Sequence, residues 1–93
     1  MVQSLDEVRT NIDRIDCEII KLMSERGEFV KKAASFKSSS EDVEAPKRVE
    51  QVISKVRRLA ADSGLEPQVA EAAYRSMISA FIEIEQNVFS KRG

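Results

Sequence analysis

Stepping through the first third of the chain by three and four residues in turn lands on Leu5, Val8, Ile12, Ile15, Ile19, Leu22, Arg26, Phe29, Ala33 and Phe36, nine of the ten apolar. That period marks an amphipathic helix with one buried stripe. Ser4 stands at the cap position, and Glu7 three residues on completes a capping box. The pattern predicts a first helix over residues 5–37, about 50 Å long at ~1.5 Å per residue. The stretch SSSEDVEAP (38–46) breaks the period and reads as a loop. Pro46 suits the first turn of a second helix, whose stripe is Val49, Val52, Ile53, Val56, Leu59 and Ala60 and which Gly64 stops. Pro67 opens a third helix running to about Ser90, with Tyr74, Ile78, Phe81, Glu85 and Val88 on its stripe.

No segment alternates as a strand would. The chain reads as all-α, a single domain over 1–93 with three helices, the first very long. Two shorter helices cannot cover the long one along its whole length. The arrangement that leaves least apolar surface wet is an intertwined helical homodimer.

Composition narrows the chemistry. The 93 residues carry 15 basic and 16 acidic side chains, a net charge of −1, so no basic face offers itself to nucleic acid or a membrane surface. Cys17 is the sole cysteine; it fits a reducing cytoplasm and reads as a small buried or half-buried apolar residue. The N-terminal residues contain no long apolar run, so neither a signal peptide nor a membrane helix is expected. Without histidine there is no Ser-His or Cys-His nucleophile and no ordinary zinc site. Glycines at 27, 64 and 93 make no phosphate-cradling loop. The expected chemistry needs no metal and no cofactor.

Charges on the inner stripes remain to be explained. A second stripe of the first helix reads Arg9, Ile12, Asp16, Ile19, Met23, Arg26, Val30, Ala33 and Lys37, so Arg9, Arg26 and Lys37 share a face. Arg26 belongs to both stripes and should be the most inward of the three. A buried cation is costly unless paired. One explanation is a structural ion pair of Arg26 with Asp16 or Glu85, with Arg9 and Lys37 solvated. The other is a set of cations, with Arg48 as a fourth, converging on a small dianion, for which arginine supplies a planar fork and lysine a point donor. Gly27 costs roughly 1 kcal/mol in mid-helix, tolerable where a side chain would crowd something.

The series Arg9, Ile12, Asp16, Ile19, Arg26, Lys37 resembles the first helix of the class II, all-helical chorismate mutases. The segments DRID, FK and APKRV are similar to the isochorismate–pyruvate lyase branch of that family, which serves bacterial salicylate and pyochelin synthesis. The resemblance runs from about Arg9 to Lys91. It implies an intertwined dimer with two equivalent sites. In each site Arg9 from the partner subunit, Arg26 and Arg48 bind the two substrate carboxylates, and Lys37 hydrogen-bonds the ether oxygen of the enolpyruvyl group. Catalytic roles then fall to Lys37, Glu85 and Arg26. The implied reactions are pericyclic: chorismate rearranging to prephenate, or isochorismate losing pyruvate to give salicylate. Orientation and stabilised negative charge suffice for them.

Three departures sharpen the resemblance. Most mutases carry a glutamate after the second-helix arginine; here it is Val49, as in the lyases. Phe81 is apolar where mutases often have a small polar residue. Both favour a lyase-like pocket. Glu85 stands where a glutamine usually donates to the ether oxygen. An ionised carboxylate there would repel the developing charge, whereas a protonated one can donate. Gln86 could replace it through a local shift of register, or the substrate could bear an amino group. The reading is isochorismate–pyruvate elimination with secondary chorismate rearrangement. The alternatives are a dedicated chorismate mutase, acting on chorismate or an amino analogue, and a non-catalytic helical dimer.

Overall fold

The computed structural model describes residues 4–36 and 45–92, with side chains as far as Asn87. Among the described residues there are three helices and no strands: α1 (Leu5–Ala34), α2 (Pro46–Asp62) and α3 (Pro67–Arg92). The expected all-α architecture is therefore present. The loop expected at 38–44, Lys37 and the side chain of Val88 lie outside the described residues. No helix among the described residues is long and apolar enough to cross a membrane. The chain divides into two compact units, Met1–Lys32 and Ala33–Gly93.

The first unit is α1. The Glu7 N–H donates to Ser4 Oγ at 3.1 Å, the cap expected from the sequence. Asp6 and Glu7 lie in its first turn and Lys31 and Lys32 in its last, each sign where the helix dipole favours it. The apolar stripe is formed and largely exposed among the described residues: Ile12, Ile15, Ile19, Leu22 and Phe29 are 50%, 43%, 47%, 63% and 61% exposed. Gly27, by contrast, is buried. Two expectations are corrected. Cys17 is exposed rather than buried, because it lies on a helix whose flanks as well as its stripe face water. The helix closes at Ala34 rather than at 37. The Phe36 N–H turns back to the Ala33 carbonyl at 3.1 Å, and Phe36 stays 88% exposed, so burial does nothing to extend the helix.

The second unit is a hairpin of α2 and α3. Pro46 fills the first helical position of α2, where its missing N–H costs nothing. The other end closes in a Schellman arrangement. Leu65 N–H donates to the Ala60 carbonyl at 2.8 Å and Gly64 N–H to the Ala61 carbonyl at 3.3 Å. Gly64 adopts φ 80°, which only glycine reaches without steric cost. The reversal brings Pro67 into place to start α3. Val52, Ile53, Val56 and Ala60 of α2 are buried. Val52, Val56 and Ala60 form a core with Ala70 of α3, against which Tyr74 and Ile78 pack. Leu59, expected on that stripe, is 49% exposed. α3 continues to Arg92, two residues past the expected end.

Candidate functional site

The hairpin's register decides what comes together at its open end. Val56 lies six residues before Asp62 and Tyr74 seven after Pro67, and both belong to the hairpin core. Val49 is thirteen residues before Asp62 and Phe81 fourteen after Pro67, so both lie well beyond the core, towards the open end of the hairpin. Both are half-buried. Glu85, eighteen residues after Pro67, lies one further turn along α3 in the same direction. Its side chain is 7% exposed, the one buried acidic residue among those described. Gln86 is half-buried, and α3 is an uninterrupted α-helix across both, so Glu85 and not Gln86 holds the inward place in the series after Tyr74, Ile78 and Phe81.

The first turn of α2 is electropositive for two independent reasons. It contains Lys47 and Arg48 and no acid. It also begins at Ala45, which sits in the left-handed region at φ 36° and has no side-chain acceptor to cap the first amides. The positive end of the helix dipole is thus left uncapped by its own residue. Arg48 is exposed there. An arginine fork beside a helix N-terminus suits a carboxylate. The same end of the hairpin therefore joins a cationic edge (Arg48), an apolar wall (Val49 and Phe81) and a buried carboxyl (Glu85).

Arg9 and Arg26 belong to the other unit. Arg26 is half-buried and Arg9 exposed, which matches the expectation that Arg26 is the more inward. They stand seventeen residues apart on α1, about 25 Å along its axis. No small dicarboxylate spans that distance, so Arg9 and Arg26 of one chain do not meet on one ligand of that size. Lys37 lies outside the described residues.

A feature the sequence reading missed lies beside the candidate residues. Arg75 of α3 donates through Nη1 and Nη2 to both carboxylate oxygens of Glu50 at 3.0 Å each, and through Nε to Glu71 at 2.7 Å. Arg57 of α2 donates to the other oxygen of Glu71 at 2.7 Å. The hydrogen bonds from Arg75 hold the Glu50 carboxyl below its ordinary range; those from Arg75 and then Arg57 do the same for Glu71, and the Arg75 guanidinium is held protonated more firmly in return. An open depression on α2 is lined by Lys47, Glu50, Gln51, Ser54, Lys55 and Arg58; it includes none of the candidate site residues and reads as a solvated face.

Residues 8–86 match the family model for chorismate mutase type II. The bifunctional chorismate mutase/prephenate dehydratase of Aquifex aeolicus is 34% identical over 91 residues, covering 94% of this chain but 25% of that protein, so the chain spans a quarter of that relative's length. The isochorismate pyruvate lyase of Pseudomonas aeruginosa is 33% identical over 78 residues, covering 84% of this chain and 77% of the lyase. The chorismate mutase of Methanocaldococcus jannaschii is 27% identical over 79 residues, covering 84% of this chain and 80% of that protein. These relatives are enzymes by name. With a family model matched from the second turn of α1 to Gln86, the chain belongs to the type II chorismate mutase family.

Proposed function

We propose that this protein is a pericyclic enzyme of chorismate-type dicarboxylates, working as a homodimer, and that its preferred reaction is the loss of pyruvate from isochorismate. The observation that carries the substrate preference is that Val49 and Phe81, both half-buried towards the open end of the hairpin that carries Arg48, are apolar where many family members have polar residues. Arg26 and Arg48 bind the two carboxylates. Arg9 reaches the same ligand from the partner subunit, a role supported by the 25 Å or so that separates it from Arg26 along its own helix. The exposed α1 stripe supplies the apolar face that a second copy covers, and burying it follows the same area rule as core formation.

In the elimination the ether C–O bond breaks as a ring hydrogen passes to the enolpyruvyl methylene, leaving salicylate and pyruvate. Negative charge grows on the ether oxygen. Lys37 donates to it, and Glu85 donates in its protonated form. Nothing is oxidised or reduced overall, and no nucleophile takes part. The protein's contribution is a compact substrate conformer and preorganised donors.

A second reading, a dedicated chorismate mutase, is favoured by two of the relatives above, which carry that activity in their names. Purified protein incubated separately with isochorismate and chorismate separates the readings. Salicylate and pyruvate formed with the higher kcat/KM support the first, and prephenate alone supports the second. Turnover of neither substrate leaves a helical dimer without this chemistry. Glu85→Gln supplies a permanent amide donor and is expected to raise the rate at neutral pH; a slower variant at every pH would rule out donation by the Glu85 carboxyl.

A further inference from the structure

The hydrogen-bonded series Arg57–Glu71–Arg75–Glu50 passes from α2 to α3, along α3, and back to α2. It ties together a stretch of α2 from Arg57 to Glu50, about 10 Å of helix. Its side chains are between 30% and 64% exposed. Ion pairs this exposed contribute little to stability, yet their geometry is exacting. Arg75 presents its full fork to Glu50 and a third N–H to Glu71, so the arrangement fixes direction as well as distance.

The hairpin core cannot fix register as sharply at that level. Its buried α2 members, Val52, Val56 and Ala60, stop at Val52, with Ala70, Tyr74 and Ile78 packing from α3. Beyond Val52, Glu50 is joined to Arg75 of α3 by two hydrogen bonds, and it directly follows Arg48 and Val49. Accordingly, we propose that Arg75 and Glu50 are positioning residues that hold the first turn of α2 in register with α3, aligning Arg48 and Val49 with Phe81 and Glu85. Neither touches the substrate. The proposal rests on the reading of that end of the hairpin as the substrate site. It also explains why Arg75, on an exposed face of α3, engages three carboxylate oxygens.

The test compares the parent with Arg75→Met, which keeps the apolar stem and loses the fork; Arg75→Lys, which keeps the charge and loses the bidentate geometry; Glu50→Gln; and the double variant Glu50→Gln/Arg75→Met. For the preferred substrate, KM is expected to rise about three- to tenfold in Arg75→Met. The double variant should be no worse than the single, because both break one contact. Arg75→Lys should not restore the parent KM, and melting temperatures should stay within a few degrees of the parent. Nuclear Overhauser contacts between the Val49 methyls and the Phe81 ring, measured without ligand, should weaken in the variants. Unchanged KM, single effects that simply add, or recovery by Arg75→Lys would overturn the proposal. Should Arg75→Met not fold, Glu50→Gln carries the same expectations. If the parent turns over neither substrate, the functional reading fails by itself, and the Val49–Phe81 contacts decide: loss in the variants upholds the clamp, persistence overturns it.

Discussion

The two units solve the burial problem in opposite ways. The α2–α3 hairpin has its own core, a glycine-closed turn and a four-residue ionic clamp, so its open end is fixed by contacts inside one chain. α1 has a longer apolar stripe than α2, and most of that stripe is exposed. A helix keeps such a stripe in water only at a cost proportional to its apolar area. The comparison teaches that sequence regularity and burial within a chain are different things. The hairpin carries Arg48, Val49, Phe81 and Glu85 on helices with a shared core, whereas α1 carries Arg9 and Arg26 on a helix whose apolar stripe is largely exposed.

Breaking the cationic side of the comparison should have the largest effect. Arg26→Ala is expected to lower kcat/KM about a hundredfold to a thousandfold, the usual cost of removing one preorganised donor. Circular dichroism should show the parent's helicity, since the expected role of Arg26 is towards the ligand. Loss of the fold instead would make Arg26 structural.

On the hairpin side, Val56→Ala removes buried methyls from a small core and should destabilise by about 1–2 kcal/mol in denaturant titrations. The corresponding truncation on α1, Ile15→Ala, should shift the dimerisation constant measured by sedimentation more than it shifts helicity. If Ile15→Ala behaves like Val56→Ala at all protein concentrations, α1 is covered within its own chain and the contrast between the units is wrong. Gly64→Ala should cost about 1 kcal/mol, because alanine is strained at φ 80° although nothing lies within 4 Å of an added Cβ.

The smallest effect is the clamp's response to pH. Glu50 and Glu71 titrate below the ordinary 4.5 in the folded protein because Arg75, and for Glu71 also Arg57, favours their charged forms. Lowered folded values mean that the stabilisation is present above about pH 4.5 and is lost as pH falls through the folded values. The melting temperature should therefore drop on acidification below that point. Glu50→Gln should show a smaller drop, and high salt should shrink the difference because the pairs are exposed.

Much of this was legible in the sequence for identifiable reasons. Ser4, Pro46, Gly64 and Pro67 act through local backbone chemistry that no distant contact overrides, and all four stand where the pattern put them. The inward place of Glu85 followed from the period of α3. The end of α1 was not legible, because Ala33 and Phe36 continue the apolar period while Phe36 has nothing to pack on within the described chain. The clamp was invisible for a different reason. Glu50, Glu71 and Arg75 look like ordinary solvated charges until the hairpin brings α2 against α3. Cys17 misled because a small apolar residue was taken to be inside, and its flank of α1 faces water.

The central claim is that α1 carries Arg9 into a site completed by another copy. Arg9→Ala and Arg26→Ala variants, each inactive alone, can be mixed, unfolded and refolded together, with heterodimers quantified by mass spectrometry. If the two arginines of a site come from different chains, each heterodimer has one site with both arginines and one with neither. A statistical mixture should then recover about a quarter of the parent activity. Verified heterodimers with no recovered turnover would contradict the claim.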